Sequence, residues 1–286
     1  MVDNYESYLK NLPVIPEVAT RIMRITEDKL DISFKELEDI IKVDPGLTVK
    51  ILRIANSALY ARQREIKSLQ MAITLLGFKN IKSLVMLVTA SNVFTRYKKT
   101  AFYQSFWKHS ILSAFLAKHI ALRCNKKEQS EEVFLGALLH CIGRVAFFNS
   151  DQEKYQSVAA EAESSGVELE KLEKEAYGMD HKELGGSILK GWNFPDLYVD
   201  IARENETENI TSVHKALVII VSAATLIVDV HILKNYRPAR KELLGSLFKH
   251  TALKESDLDY YKHDVMGDLK KDPMFQECQA LFGITG

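Results

Sequence analysis

The chain has 286 residues, 47% of them hydrophobic, and its 38 basic side chains are matched by 38 acidic ones. This length predicts two domains or one large domain, and the hydrophobic content excludes a disordered chain. A net charge of zero argues against a dedicated nucleic-acid-binding protein, because such proteins carry a basic surplus. The three cysteines are widely spaced, so we expect no disulfide framework, no paired-cysteine zinc motif and a cytoplasmic location.

The apolar runs and the N-terminus do not indicate a membrane protein. The N-terminus lacks the basic and then apolar order of a signal peptide. The longest near-apolar run, residues 216–228, is shorter than the ~20 residues that span a bilayer. We therefore interpret this run as a buried core helix and expect no association with a membrane.

Helical signals begin within the first fifty residues. Ser33 and Glu36 have the spacing of a capping box, and Asp44 precedes Pro45 as a helix cap does. After Pro45, apolar residues recur at spacings of three and four, which is one face of a helix. Ser68 begins a short predicted helix that Gly77 ends, and residues 79–94 form the next one.

A polar, basic break at residues 97–100 marks a module boundary. Beyond it, the periodicity predicts helices over residues 102–124, 131–148, 152–165, 169–177, 180–192, 196–203 and 212–233, with two or three short helices after Arg240. Strand-like alternation is sustained nowhere. The sequence therefore predicts an all-α protein whose core is built by helix packing.

The zero net charge is the sum of two opposed segments. Basic side chains predominate between residues 62 and 99, whereas acidic ones predominate between residues 151 and 208. Ordinary solvated helix faces explain this pattern. Alternatively, the segments attract each other or present opposite charges to a partner, and salt would then weaken the contact.

A series of motifs in a fixed order is the most specific feature of the sequence. The N-terminal third contains LPVIP at 12–16, IKVDPGLT at 41–48, KILRIANSALY at 50–60 and AITLLG at 72–77. The continuation contains FWKHS at 106–110, FLGALLHCIGR at 134–144 and GMDH at 178–181. Over roughly residues 8–235, this string closely resembles the HDOD family, the HD-related output domains of bacterial signalling proteins.

The resemblance implies an all-helical protein with two lobes and a non-catalytic regulatory role. Residues 1–98 would form an N-terminal helical lobe and residues 99–235 an HD-like helical lobe. Residues 236–286 would form a helical extension packed on the second lobe. HDOD domains are similar to HD and HD-GYP phosphohydrolases but have generally lost the metal chemistry.

Those hydrolases bind a divalent metal through histidines, an adjacent His-Asp pair and a later Asp. The metal activates a water molecule and neutralises the charge of the phosphate. By resemblance, His109, His140 and His181 lie at the histidine positions. Cys141 follows His140 where the Asp of the pair would be. The resemblance therefore preserves histidines at the site and loses the carboxylate that a hard metal prefers.

The later positions of the hydrolase pattern are also altered. The later Asp would fall near Ala224, and Asp229 lies on a different face of a regular helix. Where two-metal relatives carry a His-His pair, this chain has Glu204 and Asn205. We therefore expect no catalytic residue, no metal ligand and no cofactor. The alternative is that the His/Cys set holds zinc or another borderline metal.

Five residues make up the relic pocket that the resemblance implies: His109, His140, Cys141, Arg144 and His181. A structural role in the core is the simplest interpretation of its histidines and cysteine. We expect Arg144 near the C-terminal end of an apolar helix, where the helix dipole favours a cation. Anion binding by Arg144 is the alternative.

A second group, Asp44, Asn56, Ser57 and Tyr60, is a candidate partner groove. Its simplest interpretation is structural, because Asp44 can cap a helix and Asn56 and Ser57 can close one through side-chain bonds to the backbone. The functional alternative is a groove between the lobes that contacts a partner. In the second lobe, Gly185 and Gly186 lie inside a predicted helix and indicate close helix packing.

The sequence thus predicts a cytoplasmic bacterial signalling protein that acts as a scaffold by binding another protein. One alternative is a sensor whose relic pocket binds a nucleotide or a metal. Another is a residual metal-dependent phosphohydrolase. The oligomeric state and the identity of the partner stay open.

Overall fold

The computed structural model describes residues 16–23, 25, 34–57, 66–93, 99–234 and 238–284. Within these residues every regular element is a helix. The predicted all-α class is therefore confirmed for the described part of the chain. Ser33 of the predicted capping box lies outside it.

The described residues before residue 99 form four helices: α1 (Glu17–Met23), α2 (Phe34–Lys42), α3 (Pro45–Ser57) and α4 (Leu69–Val93). Asp44 caps α3 as predicted, because its Oδ1 accepts a hydrogen bond from the Leu47 N–H at 2.9 Å. The Ser68 hydroxyl accepts one from the Met71 N–H at 3.1 Å. Gly77, with a φ of 79°, kinks α4 where the sequence predicts the end of a helix.

Eight helices follow: α5 (Ala101–Arg123), α6 (Ser130–Leu139), α7 (Ile142–Ser150), α8 (Gln152–Ser165), α9 (Leu169–Tyr177), α10 (His181–Gly191), α11 (Asp196–Glu204) and α12 (Lys215–Ile227). Asp180 forms a capping box with Glu183 at the start of α10. Helices α5 and α6 pack along each other, and α12 packs against α5. These long apolar helices form the core around which the shorter helices are arranged.

The C-terminal part contains α13 (Pro238–Phe248), α14 (Leu258–Tyr260), α15 (Met266–Lys271) and α16 (Pro273–Phe282). Helix α13 packs against α12, whereas α16 contacts α3 and α4 as well as α5. The last helix therefore touches helices on both sides of residue 99. The division of the chain into two lobes and an extension stays a prediction.

The single helix predicted over residues 131–148 is wrong, because the structure has two helices there. Helix α6 ends at Leu139 and α7 begins at Ile142, so His140 and Cys141 form a break between them. The apolar periodicity continues through the break because both helices are buried. It therefore gives no sign of the change in backbone conformation.

Three stretches of the described chain are long and apolar enough, by length and composition alone, to cross a membrane: Leu69–Asn92, Lys127–Ser150 and Lys215–Ile232. Of their most apolar windows, 56%, 83% and 72% are buried inside the protein. Packing within the protein therefore accounts for much of their apolar surface.

Candidate functional site

One cavity is lined by all five residues of the predicted relic pocket. Its volume is about 550 Å³. Helix α5 contributes His109, the break between α6 and α7 contributes His140 and Cys141, α7 contributes Arg144 and α10 contributes His181. The structure thus brings together side chains from four parts of the chain.

Helices α7 and α10 approach each other closely at Gly143. A Cβ atom on Gly143 would lie 2.0 Å from the His181 carbonyl oxygen and 2.8 Å from the Gly185 amide nitrogen. Only glycine fits there, because the atoms in the way belong to the backbone. This contact holds the break with His140 and Cys141 against the start of α10. It also confirms the close helix packing predicted at Gly185.

An ion-paired group, which we call the aspartate cluster, consists of His109, Glu206, Asp229 and Arg240. Nε2 of His109 lies 3.0 Å from Oδ1 of Asp229. Nη1 of Arg240 pairs with Oδ2 of Asp229 and lies 3.5 Å from Oε2 of Glu206. The cluster therefore joins four parts of the chain. His109 comes from α5, Glu206 from the segment after α11, Asp229 from the segment after α12, and Arg240 from α13.

The ion pairs of the aspartate cluster shift the pKa of its members. Burial would lower the pKa of His109, but the Asp229 carboxylate outweighs it and raises that pKa. Burial would raise the pKa of Asp229, but His109 and Arg240 hold it well below its usual range. Asp229 is therefore an anion that the Arg240 guanidinium balances, and its charge favours the protonated form of His109.

The prediction that Asp229 lies on a face away from the pocket is wrong. It assumes a regular α-helix through residue 229. Instead, α12 ends at Ile227 and continues as a π turn, Val228–Ile232. A π turn closes a hydrogen bond over five residues instead of four, here from the Leu233 N–H to the Val228 carbonyl, so the side chains within it are rotated from the directions that α-helical spacing predicts. Asp229 consequently contacts His109 in the cavity wall.

A second group, which we call the glutamate cluster, consists of Arg144, Tyr155, Glu173 and His181. Nε of Arg144 donates to the Tyr155 hydroxyl at 3.0 Å, and that hydroxyl donates to Oε1 of Glu173 at 3.0 Å. Oε2 of Glu173 accepts from the His181 N–H at 2.9 Å and lies 2.6 Å from Nδ1 of His181. Glu173 is 0% exposed. Both oxygens of its carboxylate are therefore in contact with donor groups inside the protein.

Glu173 determines the protonation of His181. Burial would lower the pKa of His181, but the Glu173 carboxylate outweighs it and, with Cys141, raises that pKa to about 10. A carboxylate accepts hydrogen bonds, so Nδ1 of His181 carries a proton in this contact. His181 is thus an imidazolium at neutral pH, and the Glu173 contact fixes its ring.

Cys141 and His140 lie beside the glutamate cluster. Burial would raise the pKa of the Cys141 thiol, but the imidazoles of His140 and His181 hold it well below its usual value. His140 is 2% exposed, and its Nδ1 donates to the Ala137 carbonyl at 2.6 Å. Its Nε2 is buried and has no hydrogen-bond partner among the described residues.

The predicted position of Arg144 at a helix C-terminus is wrong. The break at His140 and Cys141 places Arg144 in the first turn of α7, where the helix dipole does not favour a cation. Burial would lower the pKa of Arg144, but its polar neighbours, first Tyr155 and then Cys141, raise it. Only Nε of Arg144 has a hydrogen-bond partner in the described chain, and its two Nη groups make no ion pair there.

The side chains at this site do not fit a divalent metal. No group of three or more His, Cys, Asp or Glu side chains among the described residues is arranged to hold a metal ion. His109 and Arg240 engage Asp229, and Glu173 holds His181 as a cation. Cys141 offers sulfur where a hard metal would need oxygen. These side chains are bound to one another rather than left open for a common ligand.

The residues of the candidate partner groove lie elsewhere. Asp44 and Asn56 do not line the cavity. Asn56 uses its amide internally, because Nδ2 donates to the Leu52 and Ile66 carbonyls at 2.9 Å each and Oδ1 accepts from the Ile66 N–H at 2.8 Å. Ser57 is the last residue of α3. Tyr60 lies outside the described residues.

Sequence reasoning missed several residues of the two clusters. Glu173 had a usable signal, because it lies with Leu169 and Leu172 on the buried stripe of α9. A carboxylate on such a stripe indicates a buried partner. Tyr155 begins a similar stripe on α8. No local pattern in the sequence marks Arg240, since its partners Glu206 and Asp229 come from earlier segments of the chain.

Solved structures with the same fold come from several bacteria. The Shewanella amazonensis protein named "Putative phosphohydrolase" is 19% identical, with 98% of each chain covered and a TM-score of 0.73. An HDOD domain protein of unknown function from Geobacter sulfurreducens is 20% identical, with 98% of this chain and 97% of that chain covered and a TM-score of 0.73. The Marinobacter aquaeolei protein named "Putative signal transduction protein" is 16% identical, with 98% and 65% covered and a TM-score of 0.75.

These similarities show the fold, an all-helical domain. The model of the HDOD domain matches residues 12–208, and the chain belongs to the HDOD family. A Treponema pallidum protein named "Uncharacterized protein" is 19% identical over 195 residues. That match covers 68% of this chain but only 37% of the relative.

Proposed function

We propose that this chain is a non-catalytic regulatory HDOD protein that acts in bacterial signal transduction by binding another protein. The observation that carries the non-catalytic part is the engagement of Asp229 by His109 and Arg240. The Arg240 guanidinium, beside a His109 imidazole whose pKa is raised, supplies positive charge where a metal ion would supply it in a phosphohydrolase. The protein's own cations thus balance the carboxylate.

The chemistry of the other side chains supports the same proposal. Metal-assisted hydrolysis needs open ligand atoms around a hard cation and a bound water. Here Cys141 replaces a carboxylate, and His181 is held as a cation by Glu173. A cationic imidazole has no lone pair for a metal.

Phosphodiester hydrolysis tests the non-catalytic part. The full chain, purified without added metal and then incubated with Mn²⁺ or Mg²⁺, is assayed with bis(p-nitrophenyl) phosphate. We expect the rate to equal that of the His140→Ala variant under every condition. Turnover by the wild-type protein that His140→Ala abolishes would overturn the proposal. The variant separates true activity from a contaminating hydrolase, which would co-purify with both.

Exposed apolar side chains near Asp44 support the protein-binding part. Val43 and Val49 are 70% and 65% exposed and lie on either side of the start of α3. Exposed apolar groups of this kind contribute to protein interfaces when a partner covers them. This surface lies next to Asp44 in the chain, and Asp44 is one of the residues of the predicted partner groove.

Cross-linking in cells that contain the tagged chain tests this surface. We expect a protein partner that the wild-type chain captures and Val49→Glu loses. The matched control is Val213→Glu, because Val213 is 93% exposed and lies between α11 and α12 rather than in the first turns of α3. We also expect recovery to fall as salt rises, since opposed charges contribute to the contact. Equal recovery with wild-type, Val49→Glu and Val213→Glu chains would contradict the proposal.

A small-ligand sensor is the second candidate, and Arg144 favours it. The guanidinium lines a cavity of about 550 Å³, and its Nη groups make no ion pair with the described residues. Such donors match a phosphate or carboxylate group. A rise in the melting temperature with a nucleoside monophosphate, lost in Arg144→Gln, would favour the sensor over the scaffold.

A cytoplasmic location is part of the proposed function, and the three free cysteines support it.

A further inference from the structure

We propose that Cys141 is a covalent modification site at which its sulfur attacks a small, anionic disulfide in the cavity and forms a mixed disulfide. This role is independent of hydrolysis and of the protein partner. It gives the relic pocket a chemical input that needs no metal. The argument depends on the position of the sulfur, on two imidazoles beside it and on the cation that would bind the incoming group.

The backbone places the sulfur of Cys141 at the start of a helix. Cys141 is the N-cap residue of α7, which has nine residues, and no side-chain hydrogen bond caps that end. The partial positive charge of a helix N-terminus stabilises a thiolate. Cys141 is partly exposed and lines the cavity, so a small reagent can reach it.

His181 is the first imidazole beside the sulfur. Its Nδ1 is bound to Glu173 at 2.6 Å, and Gly143 brings its backbone against the first turn of α7. The ring interacts with the Cys141 thiol as well as with Glu173. A carboxylate that orients an imidazole beside a nucleophile is the arrangement that activates nucleophiles in many enzymes. The lowered pKa of Cys141 agrees with this geometry.

His140 is an independent sign that the cavity accepts a polar group. Its Nδ1 is bound to the Ala137 carbonyl, so its Nε2 is the atom left for another partner. That atom is buried, lacks a hydrogen-bond partner among the described residues, and belongs to a residue that lines the cavity. A buried polar atom without a partner is costly, and a ligand in the cavity would relieve the cost.

Arg144 indicates the chemical class of the reagent. Its Nη groups make no ion pair within the described chain, and it lines the same cavity as Cys141. A disulfide that carries carboxylates would place one of them on this guanidinium. A neutral or cationic disulfide would lack that contact.

The step balances without a further reagent. The Cys141 thiolate attacks one sulfur of the disulfide R–S–S–R. The new Cys141 S–S bond forms as the old S–S bond breaks, and the leaving group departs as R–S⁻ and takes a proton from solvent. Cys141 is oxidised by the disulfide, which is reduced to one thiol. An added thiol reverses the step by the same exchange.

The chain contains two matched control thiols. Cys124 is also partly exposed, but it lies at the C-terminal end of α5. Cys278 is buried, and burial raises the pKa of its thiol. A reagent that merely samples exposed thiols would therefore modify Cys124 as readily as Cys141.

The test measures modification of the full chain by glutathione disulfide, site by site, with peptide mass spectrometry. At pH 6 we expect Cys141 to react about ten times faster than Cys124, because the gain in thiolate fraction exceeds the loss in intrinsic nucleophilicity. We expect Arg144→Gln to slow the reaction of Cys141 with glutathione disulfide and to leave its reaction with cationic cystamine unslowed. Equal rates at Cys141 and Cys124 would overturn the proposal.

The pH dependence of the wild-type protein gives a second test that needs no variant. We expect the rate at Cys141 to rise less between pH 6 and 8 than the rate of N-acetylcysteine in the same buffers, which rises about tenfold per pH unit as for a free thiol below its pKa. An equally steep rise at Cys141 would contradict the proposal. His181→Asn should make the profile of Cys141 resemble that of N-acetylcysteine, provided that its melting temperature matches the wild-type value.

Discussion

The two polar clusters of the cavity solve the problem of buried charge in different ways. The aspartate cluster joins distant parts of the chain, because His109, Asp229 and Arg240 come from α5, the π turn and α13. Its carboxylate is engaged by the Arg240 guanidinium and by the His109 imidazole. The glutamate cluster is built from neighbouring helices around one fully buried carboxylate, Glu173.

The clusters also differ in what they leave open. The aspartate cluster pairs its charges with one another. The glutamate cluster lies beside a partly exposed thiol, Cys141, and includes Arg144, whose Nη groups make no ion pair with any residue that the structure describes. Neutralised charge suits a stable regulatory domain, whereas an open thiol and a guanidinium suit a site that receives a chemical signal. The predictions below separate these two roles.

The largest expected effect comes from Glu173→Gln. The change removes the charge that pairs with His181 and leaves a buried imidazolium without its counter-ion. We expect the free energy of unfolding to fall by about 3–5 kcal/mol, measured by urea unfolding at pH 7. Glu175→Gln is the matched control, because Glu175 lies on the same helix and is exposed. Equal effects of the two changes would show that the glutamate cluster does not stabilise the fold.

The pH dependence of stability gives the next largest effect. The pKa of His181 is raised to about 10 in the folded state, above its unfolded value near 6.5. The folded state therefore binds more protons, so this stabilisation is full below about pH 6.5 and is lost as pH rises towards 10.

Cys141→Ala protein is the background of choice for this measurement, because the thiol then does not titrate. Between pH 6.5 and 9 we expect its free energy of unfolding to fall through His181, by less than the ~3 kcal/mol that a pKa of about 10 would give, because Cys141 contributes to that raised pKa in the wild-type protein. The double variant Cys141→Ala, His181→Asn should lose this slope. A slope that survives the second change would mean that another group titrates.

A smaller effect is expected from Gly143→Ala, which tests the contact between the break and α10. The new Cβ would meet backbone atoms at 2.0 and 2.8 Å, so we expect destabilisation by about 2–3 kcal/mol and slower modification of Cys141. Gly245→Ala is the control. Gly245 lies inside α13 with nothing within 4 Å of a new Cβ, and alanine should stabilise that helix by about 0.5–1 kcal/mol. Destabilisation by both changes would contradict the account.

The smallest effect is expected from Asp229→Asn, because side chains of the aspartate cluster keep some contact with solvent. We expect a loss of about 2 kcal/mol in the free energy of unfolding, with the reactivity of Cys141 unchanged. Asp264→Asn is the control, since Asp264 is an exposed carboxylate in another π turn. A change in Cys141 reactivity with Asp229→Asn would show that the two clusters act together.

The sequence predicts the helices because they depend on local signals, whereas the relic pocket follows from the resemblance to the HDOD family. Caps such as Asp44 and apolar stripes such as that of α3 act within a few residues. The HDOD motifs contain all five residues of the predicted relic pocket, and all five line the cavity. Two features have no local signal. The break at His140 and Cys141 lies in continuous apolar sequence, and the π turn that directs Asp229 follows a regular helix.

Sequence reasoning also could not identify pairs of side chains that come from distant segments of the chain. Arg240 meets Asp229 and Glu206 only through the packing of α13 on α12. Glu173 was within reach of sequence reasoning, because a carboxylate on a buried stripe indicates a partner. The identity of that partner, His181, required the fold.

The central claim is that the protein's own cations balance the carboxylates where a hydrolase would hold a metal. Metal analysis of the full chain tests it most directly, on wild-type and His140→Ala proteins purified without added metal and then dialysed against Mn²⁺, Fe²⁺ or Zn²⁺. The account predicts substoichiometric metal that is the same in both proteins. One equivalent of metal in the wild-type protein, lost in His140→Ala, would contradict it.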